Sequence, residues 1–503
     1  MRKREDFDPG RDADRCRGGS PPVDRRLFLQ GVLGGAAAAA LPACRPETPG
    51  SSARTNVLFI TADDMNQESA GVYGCRVPDV TPSIDRLAAE GMRFDRAHVT
   101  VSSCQPSRTV WMTGRYPHQS GTLGFGPVAP GVPTLIEILR DAGYRTGILS
   151  KVDHLEPRDK FRWDYRVAGV DLGRGRDPAR FHDHALRFLR SALRAGHPFF
   201  LMANADDPHR PFPGSREERK KAVNQAERGT FPGVRRTVAP TEVEVPAFLP
   251  DLPAVRAELA EYYTAVHRAD ETAGAVLAAL AKSGLVESTL VLFLSDNGMP
   301  FPFAKSCCYR FSTRTPCILR WPGRIEPGRV DAETTVTGLD LLPTLLAALD
   351  LEAPPELGGR SLLPTLRGGE LERLEHVYSS FHETSTGRSY PTRAVHDRRH
   401  GYLYNAWSRP GVEWLGQVRT SRTFEAMEAA AGSDAALAAR LDHLLRRAPE
   451  ELYDYERDPG AHRNLAGEPA SQELLAGMRR RMAEHLMSTG DPLLSTYRRF
   501  LAG

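Results

Sequence analysis

From Thr55 onward, short apolar runs alternate with stretches whose apolar positions recur at helical spacing, the pattern of a mostly parallel sheet covered by helices. The first run, Asn56 to Thr61, delivers Asp63 and Asp64 at its carboxyl end. A helix follows from about Pro82 to Glu90, with Thr81 as its cap and Gly91 as its stop. Thr134 caps a helix over Leu135 to Ala142, Gly143 ends it, and Tyr144 to Ser150 is a strand leading to Lys151 and His154. Ala179 to Arg194 is helical, and Pro198 to Asn204 is a strand leading to Asp207-Pro208-His209. One long helix spans about Ala257 to Lys282, and the strand Thr289 to Ser295 delivers Asp296 and Asn297. Every polar cluster therefore falls just past the carboxyl end of a strand, where open α/β sheets place their sites.

Later patterns are plainer. Leu339 to Leu349 is helical, and the Ala-rich stretch Ala426 to Arg447 reads as helix by propensity and as a surface insertion. The expected fold class is α/β, with a large domain over 53–372 and a smaller C-terminal α+β domain over 373–503. Residues 1–52 read as an address. Arg25-Arg26-Leu27-Phe28-Leu29 opens a Gly/Ala-rich run that resembles a twin-arginine export signal, ending at Leu41-Pro42-Ala43-Cys44. The expectation is a periplasmic or cell-envelope protein whose one route to the membrane is a lipid anchor at Cys44.

Composition narrows the picture by exclusion. The formal charge of +3 rests on 66 basic and 63 acidic residues, so no strong global field points to nucleic acid. Seven cysteines show no C-x-x-C spacing and no small-domain disulfide framework.

The candidate chemistry starts from oxygen ligands. Asp63, Asp64, Asp296 and Asn297 form a hard donor set, which suits calcium and, as second choice, magnesium. Pro106 suits the first position of a helix, so Cys104 is expected just ahead of the free N–H groups at a positive helix end. A lone cysteine there would read as a buried residue before an ordinary helix.

The whole string Cys104-Gln105-Pro106-Ser107-Arg108, continuing to Thr113-Gly114-Arg115, resembles the signature of the sulfatase family. That resemblance implies an alkaline-phosphatase-like fold and a formylglycine at position 104, made by a formylglycine-generating enzyme before folding. It also implies that position 104 joins the metal site. By the same resemblance, Arg108 and Lys151 hold the formylglycine hydrate and the sulfate, Lys305 and His209 contact the substrate sulfate, and His154 is the base that collapses the sulfated hydrate. The family's G-K-x-H appears here as Ser150-Lys151-Val152-Asp153-His154, without the glycine and with one extra residue.

Val101 to Cys104, His118 to Gly121, Asp207 to Arg210, Asp296 to Pro302, His382-Glu383 and Ser389 to Arg393 are similar to the family's sulfamidase branch, the N-sulfoglucosamine sulfohydrolases. The implied substrate is a sulfated glycan, with His382, Glu383 and Arg393 reaching the sugar or else serving as polar groups between domains. An O-sulfatase of another polysaccharide, a phosphate or phosphonate monoester hydrolase, and a catalytically dead carbohydrate-binding protein are the competing readings.

Overall fold

The computed structural model of the chain describes residues 54–226 and 229–503. The twin-arginine leader, Cys44 and the linker up to residue 53 lie outside them. Twelve strands are present in chain order among the described residues. The first eight are β1 (Asn56–Ala62), β2 (Met92–His98), β3 (Arg145–Leu149), β4 (Tyr165–Val167), β5 (Phe199–Asn204), β6 (Thr289–Ser295), β7 (Cys317–Arg320) and β8 (Arg329–Thr337). They form one sheet in the order β4-β3-β5-β1-β6-β7-β2-β8. β7 alone runs against its neighbours; the other pairings are parallel.

Strand alternation explains the layers. All seven residues of the central strand β1 are buried. Leu58 and Ile60 pack on one face with Phe181 and Phe188 of the helix Pro178–Ala195 and with Val266 and Ala273 of the long helix Pro253–Ser283. Val57 and Phe59 pack on the other face with Trp111, Leu135 and Leu341, from the helices Cys104–Thr113, Leu135–Asp141 and Leu341–Ala348. A sheet buried on both faces leaves its strand ends as the natural place for polar chemistry.

The remaining strands, β9 (Val377–Glu383), β10 (Ser389–His396), β11 (His400–Asn405) and β12 (Glu450–Asp454), form an antiparallel sheet in the order β12-β11-β10-β9. One face, with Val395, Tyr402 and Leu452, packs on Leu475, Met482 and Leu486 of the helix Gln472–Thr489. The other face, with Phe381, Ala394 and Leu403, belongs to the same apolar core as Leu58 and Ile60. No helix among the described residues is long and apolar enough to cross a membrane.

Three local expectations are corrected. The Thr81 side chain does not cap the helix Pro82–Ala89; the buried Asp270 carboxylate does, accepting from the Ser83 and Ile84 N–H groups at 3.1 and 2.7 Å. Pro106 is the third residue of its helix, because helical geometry already begins at Cys104. Its missing N–H still costs nothing there, since the first four N–H groups have no intrahelical partner. The Ala-rich stretch is two helices, Arg422–Ala431 and Ala435–Leu445, the second capped by Asp434. Phe424, Met427 and Leu444 are at most 1% exposed, so this segment is part of the core and no surface insertion.

Candidate active site

The helix Cys104–Thr113 is buried along its whole length and ends at Gly114, whose φ of 62° favours glycine. Cys104 sits in its first turn at 7% exposure, and burial pushes the thiol up to about 11. One turn on, Arg108 is fully buried. Its Nε and Nη2 donate to the same Asp296 oxygen, and its Nη1 donates to Thr61 at 3.1 Å and Asn204 at 2.6 Å. A single guanidinium thus ties the helix to the carboxyl ends of β1, β5 and β6.

The acidic residues converge as expected. Asp63, Asp64, Asp296 and Asn297 are all 0% exposed. The Asp64 N–H donates to Asp296 Oδ1 at 3.1 Å, and Asn297 Nδ2 donates to Asp64 Oδ1 at 2.7 Å. Lys305 Nζ lies 2.6 and 2.9 Å from the two Asp64 oxygens, and Lys151 pairs with Asp63. Burial works to raise Asp63, but Lys151, His209, Lys305 and Arg108 together hold its carboxyl well below the usual range. For Asp64 burial wins, lifting the carboxyl to about 7 against the pull of Lys305.

This donor set fits a hard divalent cation. Asp63 Oδ1 and Asn297 Oδ1 are buried without a hydrogen-bond partner, while Asp63 Oδ2 meets Lys151; an orphaned buried acceptor is costly unless something else, such as a metal ion, meets it. Three carboxylates are offset by Lys151, Lys305 and Arg108, so a bound divalent ion would leave the site net positive, as an anionic substrate requires. Asp63, Asp64 and His209 also offer ligand atoms within 4.8 Å of one another. The sequence had assigned His209 to the substrate, so its place beside the carboxylates is the new detail.

Burial works against a positive charge on both histidines. His209 Nδ1 donates to the Arg210 carbonyl at 2.6 Å, which leaves Nε2 facing Asp64 Oδ2 at 3.9 Å; burial and Lys305 lower its pKa well below the ordinary value. Burial and then Lys151 do the same to His154, whose Nδ1 is buried without a partner. The departure from G-K-x-H has a backbone signature. Ser150 and Lys151 have φ of 58° and 53°, where glycine is the unstrained choice. Ser150 is anchored by its hydroxyl on Asp206 at 2.6 Å, and Asp206 also stands 3.5 Å from Lys151 Nζ.

A cleft of about 620 Å³ opens onto Lys151, His154 and His209. A second pocket of about 20 Å³, which shares His209 and Arg210 with the cleft, is bounded by Asp64, Lys305 and Trp414. Trp414 comes from the C-terminal domain and was not foreseen; nor was Asp206, because single residues in loops carry no spacing signal. A separate cavity of about 410 Å³, lined by Tyr73, Phe248 and Tyr455, touches none of the foreseen site residues.

The three residues named for the sugar or for the boundary between domains behave differently. Arg393 is 4% exposed and bound in a fork to Asp491 at 2.7 and 3.1 Å, so it is a polar group between structural elements. His382 is half-buried, its Nδ1 without a partner, and burial followed by Arg393 lowers its pKa. Glu383 accepts from the Phe125 N–H at 3.3 Å. Cys307 and Cys308, next to Lys305 in the chain, are buried free thiols, and Cys307 accepts from Arg447 at 2.8 Å.

Comparison with known proteins agrees with this geometry. The family model described as "Sulfatase" matches residues 55–351, and one described as "N-sulphoglucosamine sulphohydrolase, C-terminal" matches residues 301–406. The chain is 33% identical over 463 residues to the N-sulphoglucosamine sulphohydrolase of Homo sapiens, covering 87% of this chain and 91% of that one. A solved structure in complex with its substrate D-glucosamine-2-N,6-O-disulfate superposes with a TM-score of 0.63 at 17% identity, covering 87% and 99% of the two chains. The phosphonate monoester hydrolase of Agrobacterium radiobacter superposes equally well, with a TM-score of 0.63 at 18% identity over 87% and 95%. At such identities the two superpositions establish the fold alone.

Proposed function

The chain belongs to the sulfatase family, and from that premise we propose an exported hydrolase that removes sulfate from glucosamine units of a glycan through a formylglycine at position 104 and a calcium ion. That it is a sulfuric ester hydrolase follows from the family itself. The observation that carries the finer reading is the meeting of Cys104, three carboxylates and the cations of Arg108, Lys151 and Lys305 at the carboxyl ends of β1, β3 and β6. Formylglycine would supply a hydrated aldehyde as nucleophile, and a calcium ion bound beside it would draw charge from the sulfate oxygens.

Asp63, Asp64, Asp296 and Asn297 would hold the cation, because a hard ion prefers their oxygens to the His209 nitrogen. His209 is then left for the substrate. Its Nδ1–H is taken by the Arg210 carbonyl, so Nε2 is the atom it turns toward the substrate, and burial and Lys305 both oppose a second proton there. Lys151, paired with Asp63, and Lys305, paired with Asp64, would neutralise sulfate charge, and Arg108 fixes the nucleophile helix. His154 lines the same cleft as Lys151, and burial disfavours its charged form, which supports a role taking a proton in the second step. The cleft of about 620 Å³ lined by Lys151, His154 and His209 offers room beside the site for a sugar.

The sulfamate reading draws its support from the human relative and from the C-terminal family match. The test compares N-sulfoglucosamine with 6-O-sulfated N-acetylglucosamine; faster release from the O-sulfated sugar would replace sulfamidase with O-sulfatase. The fold neighbour that hydrolyses phosphonate monoesters motivates a second comparison, of sulfated and phosphorylated aryl esters side by side. Export through the twin-arginine leader, with lipidation at Cys44, is part of the same proposal.

A further inference from the structure

The edge strand of the C-terminal sheet reaches the nucleophile segment from two sides. Ahead of Cys104, the Ser380 N–H of β9 donates to the Thr100 carbonyl at 2.8 Å, and Val101 pairs with Ser380 in parallel. Beyond the helix, Glu383 at the end of β9 accepts from the Phe125 N–H at 3.3 Å. Phe125 lies between Gly124 and Gly126 in a loop without regular structure, and two glycines make such a loop costly to hold in one conformation. The Glu383 side chain fills the space over Gly124: a Cβ there would lie 2.0 Å from Oε1 and 2.2 Å from Cγ. One residue on, the Gly126 carbonyl accepts from the Gln105 side chain at 3.2 Å. Gln105 is 7% exposed and follows Cys104 directly.

We propose that Glu383 is a positioning residue for the group at position 104, acting through the Phe125 loop and Gln105, and is not a sugar contact. The proposal rests on reading position 104 as the sulfatase nucleophile. A carboxylate that accepts a backbone N–H makes a charge-assisted bond, stronger than a neutral one. Without it, the loop that holds the neighbour of the nucleophile has lost its anchor on β9. Misplacing a reacting group by about 1 Å costs on the order of 10²-fold in rate. The loss belongs in kcat, because the substrate-binding groups Lys151, Lys305 and His209 stand on other loops.

The experiment measures kcat and KM for N-sulfoglucosamine and for 4-nitrophenyl sulfate, with the formylglycine content of each protein fixed by mass spectrometry. Glu383→Ala should lower kcat roughly 10- to 100-fold on whichever of the two substrates the wild type turns over, with KM within about twofold. Glu383→Gln keeps an acceptor oxygen and should stay within about threefold of wild type. Gly124→Ala, whose methyl displaces the carboxylate, should reproduce the kcat loss, and it decides the matter if Glu383→Ala does not fold. A rise in KM confined to the sugar would make Glu383 a sugar contact and overturn the proposal. Wild-type rates in both Glu383→Ala and Gly124→Ala would also overturn it while leaving the sulfatase reading intact. A fully modified wild type inactive on both substrates would remove both.

Discussion

Arg108 donates twice to one oxygen of Asp296, from Nε at 3.0 Å and from Nη2 at 2.6 Å, in a place where both side chains are buried. The pair joins the nucleophile helix to the strand end that supplies a metal ligand, so it belongs to the fold and the site at once. Arg108→Ala leaves Asp296 buried without its counter-charge and should destabilise the protein by about 3–5 kcal/mol in denaturant unfolding. Arg108→Lys keeps the charge but loses the fork, and activity should fall more than about 10²-fold. A loss below about 1 kcal/mol in Arg108→Ala would show that the pair holds nothing together.

Metal content gives an independent check. Asp63 Oδ1 is buried without a hydrogen-bond partner, and Asp296 supplies another carboxylate to the same centre. Asp63→Asn and Asp296→Ala should each abolish bound calcium, read by elemental analysis after dialysis, together with activity. A chelator should lower the thermal midpoint of the wild type, with calcium restoring it better than magnesium. Calcium retained at full stoichiometry in Asp296→Ala would disprove the ligand assignment.

The loop that carries Lys151 makes a backbone prediction. Ser150 holds a φ of 58° that glycine adopts freely, and its hydroxyl bond to Asp206 offsets the strain. Ser150→Gly relieves about 1 kcal/mol and forfeits about the same, so stability and rate should stay near wild type. Ser150→Val, branched at Cβ, should cost about 1–3 kcal/mol and lower activity by moving Lys151. Equal behaviour of the two variants would contradict the backbone account.

Part of the acid sensitivity should come from two buried imidazoles in the C-terminal domain. His485 stacks on Tyr378 at 3.7 Å with an interplanar angle of 3°, and burial pushes it down to about 4. Burial, then Arg310, lowers His396 to about 4 as well. Unfolded, both titrate near 6.5. Their folded pKa values are depressed, so the stability they contribute is whole above about 6.5 and is lost as pH falls toward about 4, roughly 3 kcal/mol each. Urea unfolding across that window should show the decline, and His485→Phe, which keeps the ring stack, should flatten it. An unchanged slope in His485→Phe would place the acid sensitivity elsewhere.

The strand ends were legible in the sequence because two signals coincided there: apolar runs that close on a polar residue, and a family string around Cys104 with fixed spacing. Asp63, Asp64, Arg108, Lys151, His209, Asp296, Asn297 and Lys305 therefore fall together in space as expected. Trp414 escaped notice because its role comes from how the second domain packs beside Lys305, which no local pattern encodes. Arg393 was open between a sugar contact and a polar group between domains; its partner Asp491 lies 98 residues away in sequence, and nothing local announces that pairing. The Ala-rich stretch was read as a decoration because alanine gives propensity without a visible apolar face; Phe424, Met427 and Leu444 supply the face.

The most direct measurement is mass spectrometry of the peptide containing Cys104, from protein produced in its native host, alongside the rate of sulfate release from the same preparation. The predicted result is an aldehyde in place of the thiol, with activity in proportion to the converted fraction and none in Cys104→Ala. An unmodified thiol in a preparation with full sulfatase activity would contradict the assignment of position 104 as the formylglycine nucleophile.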